Sequence, residues 1–366
     1  MASKAEARDP LAVGAPVPAP RESRGWLWST LVGLLIFGLI GLVPLLGDQS
    51  AVHTWTLIVL YIVIAQGWNF IGGFTGYAAF GNVVFFGIGA YSVGVFVENG
   101  KPFWLGLLVG AVAATLFAFL VGLPVLRLRG HYFAIATLGI AEAIGELVAA
   151  KNIGGPGGEV SVTPPSGGIG IFTVFFYAFL GVGVLTLLGT AWLTRTRFGY
   201  ALVAIRENED AAEALGIATF WYKVGAFVLS ALPIAIAGGL WAFWLTTFDP
   251  TGEGNAFDVG LSVAMVLMTF LGGAGTIVGP VIGGIIIEWL DTQSTIYFTD
   301  FYGINIHGIL FGLLIVLVTL FLPQGLIRLV QELVIAPEPG AVRESFGQRF
   351  RKGVRRVRRF IAANGI

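Results

Sequence analysis

Apolar residues along this chain come in unbroken runs and not in alternation. Residues 26–46, 54–72, 82–97, 103–126, 132–150, 169–193, 222–247, 259–271, 277–290 and 306–322 are mostly apolar or small, and the breaks between them hold charged residues, Pro or Gly. Most runs approach the ~20 residues a helix needs to cross a hydrocarbon core about 30 Å thick. The pattern predicts an all-α polytopic membrane protein with about ten transmembrane helices. A transmembrane β-barrel needs ~10-residue stretches of in/out alternation, and runs such as 31–46 and 309–322 do not alternate. The eighth and ninth runs are short and are joined through Gly272, Gly273 and Gly275, so they are expected to be broken or re-entrant elements packed inside protein.

Composition agrees with the pattern. Apolar residues make up 56% of the chain and charged residues only 11%, against roughly 25% charged in an average soluble protein. Lys plus Arg and Asp plus Glu are equal at 21 each, so net charge points to no acidic or basic partner. Their placement is more informative. With the N-terminus inside, every Lys and Arg except Lys101 and Lys151 falls on the cytoplasmic side, as the positive-inside rule requires. The external connection 248–258 carries Asp249, Glu253 and Asp258 and no basic residue. The expected organisation is a cytoplasmic segment 1–25, a transmembrane domain 26–322 and a cytoplasmic tail 323–366. The first apolar run is too long for the core of a cleaved signal peptide and is expected to be a retained span.

With no cysteine, disulfides and thiolate sites are impossible, and His53, His131 and His307 are too scattered for a metal-ligand pattern. The 53 glycines concentrate at 72–94 and 272–284. These stretches share a loose pattern of paired glycines followed by small residues, a sign of an internal repeat of the kind many transporters show.

The longest hydrophilic connection, 195–221, is rich in helix formers. Ala201, Ile205, Ala212 and Leu215 fall on one helical face, Gly216 is a natural stop, and Arg206, Glu207, Glu209 and Asp210 form a charged edge. One short amphipathic helix is expected. The spacing of Asp210, Ala211, Ala212 and Gly216 resembles the EAA loop by which membrane subunits of ATP-driven importers dock onto their ATPase subunits. Five blocks, this loop among them, appear in order. They are residues 76–91 (GYAAFGNVVFFGIGAY), 126–139 (LRLRGHYFAIATLG), 154–158 (GGPGG), 206–216 (RENEDAAEALG) and 271–280 (LGGAGTIVGP), followed by LPQGL at 322–326. Together they resemble the signature blocks of LivM-like permeases of bacterial branched-chain amino acid ABC importers, from about residue 50 to 326. The chain departs from that pattern at Asn82, where His is expected, and at Tyr77, where Gln is common.

The resemblance implies a permease subunit in a bacterial inner membrane that pairs with a homologous permease. Two ABC ATPase subunits would bind below it, and a periplasmic solute-binding protein would deliver branched-chain amino acids, urea or another small solute. It places ATPase coupling on Arg206, Glu207, Asn208, Glu209, Asp210, Ala211, Ala212 and Gly216. The chain has no phosphate-binding loop, because Gly100-Lys101 lacks the upstream glycine and precedes Pro102. No enzymatic activity and no cofactor of its own are expected, and ATP would be bound by partner subunits.

Polar residues inside apolar runs usually face a partner or a pathway. Glu142, with Glu146 one turn on, and Asn69 and Asn82 beside the first glycine-rich stretch are candidates for lining the pathway, with interhelical hydrogen bonding as the alternative. In the tail, Phe346, Phe350, Val354, Val357 and Ile361 sit at helical spacing amid seven Lys and Arg between 349 and 359. That basic amphipathic pattern suits an anionic lipid surface, not nucleic acid. A self-contained secondary transporter or channel, with a coupling proton on Glu142, is the rival reading.

Overall fold

The computed structural model describes residues 25–162, 169–251 and 255–294, with Leu313 and Leu326. The expected tenth span and the basic tail lie outside these residues. Each of the first nine expected spans coincides with a helix. In order these are α1 (Gly25–Ile40), a short α2 (Val43–Leu46), α3 (Gln49–Trp68), α4 (Val83–Glu98), α5 (Phe103–Val125), α6 (His131–Ala150), α7 (Ile169–Leu193), α8 (Arg197–Glu207), α9 (Glu209–Ala214), α10 (Thr219–Leu245), α11 (Val259–Gly272) and α12 (Gly279–Ser294). Six segments are long and apolar enough to cross a membrane: Gly25–Leu46, Gln49–Gly73, Phe103–Val125, His131–Ala150, Gly170–Leu193 and Thr219–Leu245. At 14 to 16 residues, α4, α11 and α12 reach only about 21–24 Å at 1.5 Å per residue.

The bundle is built around α3, whose span is 89% buried, whereas those of α1, α5, α6 and α7 are only 22–33% buried. Leu31, Leu35, Leu108, Val112, Leu116, Ile135 and Leu185 stand exposed on those outer helices. An outer surface that apolar belongs in lipid, where helices associate by close packing of small residues. Two such packings set the frame. A side chain at Gly89 on α4 would strike the Ala235 carbonyl of α10, and one at Gly238 on α10 would strike the Phe86 carbonyl of α4. Similarly, Gly283 on α12 lies on the Met268 carbonyl of α11, so these two helices form a tight hairpin, and Gly284 lies on Ile62 of α3.

The short spans are completed or turned by irregular backbone. After α3 the chain runs through a π-helical turn, Asn69–Gly73, and then, past Phe74 and Thr75, a largely buried non-helical stretch, 76–82, before α4 begins. Non-helical backbone inside a membrane must find partners within protein. The Ala79 carbonyl accepts from Trp68 Nε1 (2.7 Å), the Phe80 amide donates to Thr137 Oγ1 (3.1 Å), and the Val83 amide donates to Ser262 Oγ (3.1 Å). The expected third span, 82–97, is therefore a helix extended by strapped coil. At the end of the bundle where α3 and α11 begin, Val160–Ser161 pairs antiparallel with Thr247–Phe248. The opposite end carries Arg127, Arg129, Arg195, Arg197 and Arg206 and is here called the basic end.

Candidate functional site

The hydrophilic connection at the basic end folds as two helices, not as the single one expected from its composition. Asn208 adopts an extended conformation (φ −162°, ψ 108°) that ends α8, and its side chain accepts from the Ala211 amide to start α9. Asn is among the best N-caps because its short amide reaches that orphan donor. The break alters the expected apolar face. Ala201, Ile205 and Ala212 are buried, but Leu215, past the elbow, is 83% exposed. Gly216 (φ +84°) then turns the chain toward α10.

Two glycine-rich turns meet above this elbow. Asn69 joins them: its Nδ2 donates to the Thr276 carbonyl (3.1 Å) and its Oδ1 accepts from the Gly275 amide (2.8 Å). Arg206, at the end of α8, donates from its guanidinium to the Gly73 carbonyl (2.9 Å). Gly275 has φ +74°, and a side chain there would meet that guanidinium, so glycine is needed for conformation and for room. The glycine stretches that resembled a repeat in sequence thus lie side by side, with Arg206 seated in their junction.

The second anchor is Glu209, the first residue of α9. One carboxylate oxygen accepts from Lys223 Nζ (2.7 Å) and the other from the Tyr77 hydroxyl. Lys223 sits near the start of α10 with its side chain 4% exposed, and also donates to Tyr77 Oη (2.9 Å) and the Leu126 carbonyl (3.1 Å). Burial by itself would push the Glu209 carboxyl up, but hydrogen bonds from Lys223 and Tyr77 and the charges of Lys223 and Arg129 outweigh it, holding the group below the ordinary carboxylate range. The Tyr77 hydroxyl thus donates to the Glu209 carboxylate while its oxygen accepts from Lys223. Arg129, between α5 and α6, reaches the outer side of α9 through Asp210 (2.7 Å).

The elbow is therefore bonded to the α3–α4 stretch, the α5–α6 connection and α10, and Arg206 lies against the α11–α12 turn at Gly275. The residues proposed for coupling divide accordingly. Arg206 and Glu209 point into the bundle, Asn208 forms the joint and Ala212 is buried, while Glu207, Asp210, Ala211 and Gly216 remain exposed. Lys223, Tyr77 and Arg129 were not among the residues proposed for coupling. A lone Lys soon after the start of an apolar run, 14 residues beyond Glu209, was the available signal.

The three residues considered for a pathway lie apart. Asn69 spends both ends of its amide on the glycine junction. Asn82 is buried, and its Nδ2 donates to Ser230 Oγ on α10 (3.3 Å), while its Oδ1 has no partner. Glu142 and Glu146 lie exposed on α6, on the face that also carries Tyr132 and Ile135. Among the described residues no group of His, Asp and Glu could hold a metal ion.

A model of the branched-chain amino acid transport system permease component matches residues 50–319. The chain is 30% identical over 330 residues to the high-affinity branched-chain amino acid transport system permease protein LivM of Escherichia coli, covering 82% of this chain and 75% of that protein. The Salmonella typhimurium LivM protein is 28% identical over 79% of this chain and 72% of its own length. An autoinducer 2 import system permease protein, LsrC of Yersinia pseudotuberculosis, is 28% identical over 56% of this chain and 59% of its own. No solved structure matches the chain. The match over most of the apolar region, together with an all-helical bundle whose outer surface suits lipid, leads to one assignment: the chain belongs to the branched-chain amino acid transport system permease family and is the membrane-spanning permease subunit of an ABC importer.

Proposed function

We propose that this subunit carries branched-chain amino acids or related small polar solutes inward across a bacterial inner membrane, and that α8 and α9 are where ATPase subunits press on it. The observation that carries this reading is the double anchoring of the elbow: Arg206 on Gly73 and Glu209 on Lys223 and Tyr77. A push on exposed Leu215, Glu207 or Glu213 cannot move α9 alone. It is passed to both glycine turns and to α10, the elements that pack against the central α3. Amino-acid solutes are favoured because the LivM relatives match over most of the chain, and LsrC over little more than half.

The basic end lies in the cytoplasm on this reading, with both termini, because all but two of the 21 Lys and Arg belong to that side. The ATPase subunits sit there, and a solute-binding protein docks at the other end. The exposed α6 face meets the homologous second permease. Two carboxylates one turn apart are costly against lipid, but at a subunit boundary Glu142 can line a wet pathway. The tail from Arg343 lies on anionic lipid.

Uptake by reconstituted vesicles tests the reading. Leucine accumulation should require ATP on the side of the Arg206 elbow and a binding protein on the other, and should ignore an imposed proton gradient. Accumulation by this polypeptide alone, driven by such a gradient, would instead establish a secondary transporter.

A further inference from the structure

At the end of the bundle opposite the elbow, a cavity of about 680 Å³ lies between α3, α4, α10 and the α11–α12 hairpin. Its polar side is formed by Glu288 and Asp291 on α12, with Asp258 and Asn255 from the connection before α11 and Tyr61 on α3. Its apolar side is formed by Leu57, Leu60 and Leu261 with the rings of Phe86 and Trp241, whose centroids are 5.1 Å apart.

Glu288 is the unexplained group. It is 4% exposed, it lines the cavity, and no hydrogen bond or ion pair among the described residues engages its carboxyl. A buried carboxylate without a partner is costly, and within a membrane such a residue is kept for a ligand or a pathway. No Lys, Arg or His among the described residues lines the cavity, so it offers nothing to an anion. A bare metal ion fits no better, since the carboxylates do not converge as a metal-ligand group and the space is many times that of one water, roughly 30 Å³.

We propose that this chamber binds a small organic ammonium ion, with its –NH₃⁺ at Glu288 and its hydrocarbon part against Leu57, Leu60 and Trp241. A carboxylate supplies the charge-assisted hydrogen bond. The Trp241 and Phe86 faces add cation–π attraction to an ammonium that lies over them. The leucines take up the alkyl group, which is why the ligand is an alkylammonium and not a hydrated inorganic cation. The inference is independent of the solute proposed above, because it needs neither ATP nor a binding protein.

Equilibrium binding of radiolabelled isopentylammonium to the purified full-length protein in lipid nanodiscs tests it. Binding should saturate at one ion per chain, weaken at least tenfold in Glu288→Gln, and withstand equimolar sodium chloride and isopentanol. Leu57→Trp, which fills the apolar side and leaves every carboxylate in place, should abolish it as well. The proposal is overturned by an absence of saturable binding or by equal affinity in both variants. Displacement by sodium at equal concentration would overturn it too, by making this an inorganic cation site.

Discussion

Replacing Glu209 by Gln keeps the shape of the side chain at the elbow and removes its charge. Lys223 would then be left with two neutral acceptors besides the amide, Tyr77 Oη and the Leu126 carbonyl, while its side chain is only 4% exposed. Removing one partner of a buried ion pair costs about 3–5 kcal/mol. Because the Gln oxygen still accepts a bond, and hydrogen bonds to charged groups contribute about 1.5–3 kcal/mol, the loss should fall near 2–3 kcal/mol. Lys223→Met should cost less, since Glu209, 15% exposed, keeps Tyr77 and the 3.8 Å approach of Arg129. The double variant should recover much of the single losses, giving a coupling energy of about 2 kcal/mol, well above the ~0.5 kcal/mol expected of independent sites. Thermal unfolding of the purified permease measures the cycle, and ATP hydrolysis stimulated by loaded binding protein measures coupling in the assembled transporter. Six residues of α9 cannot hold a helix without tertiary support, so Glu209→Gln should lower stimulated hydrolysis at least tenfold while assembly persists. Additive stabilities, or stimulated hydrolysis unchanged in Glu209→Gln, would refute the tether.

Gly275→Ala should destabilise the permease by about 1–2 kcal/mol through left-handed strain alone, and should also uncouple hydrolysis by displacing Arg206; a thermal scan with the same hydrolysis assay checks it. Because the Glu209 carboxyl is held below its ordinary value near 4.3, its stabilisation is complete above that pH and is lost only as pH falls through the lowered value. The protection factors of the α9 amides, exchange rates divided into the intrinsic rate at each pH, should therefore stay flat from pH 7 to 5 and fall only in stronger acid. Glu142→Gln and Glu142→Leu should each leave unfolding of the isolated subunit within ~0.5 kcal/mol, as expected for an exposed site. Both should reduce uptake by the assembled transporter if the charge of Glu142 serves the pathway; a large loss of stability in the isolated subunit would instead mark a packing role.

Much of the fold was legible because hydrocarbon thickness imposes one length scale, and apolar runs report it directly. What escaped detection came from contacts between distant residues. The stretch 76–82 reads as a break leading into the next span, yet Trp68, Thr137 and Ser262 hold it within the bundle as coil. The elbow at Asn208 was marked by a good N-cap residue inside an otherwise helical run, a local signal outweighed by the helix formers around it. Lys223 looked like one more basic residue at a span end, and its burial depends on Glu209, Tyr77 and Leu126 arriving from three other segments. Glu142 shows the opposite limit. Periodicity placed it on a helix face, but one chain packed by itself leaves that face open.

The claim that matters most is that α9 takes the force of the ATPase subunits. A photo-crosslinking residue at Leu215, the exposed tip beyond the elbow, in the purified assembled transporter tests it most directly, with the same residue at exposed Ile135 on α6 as the comparison. Leu215 should capture an ATPase subunit, with a yield that changes when ATP is added, and Ile135 should not. Failure of Leu215 to capture the ATPase, or capture equally from both positions, would contradict the account.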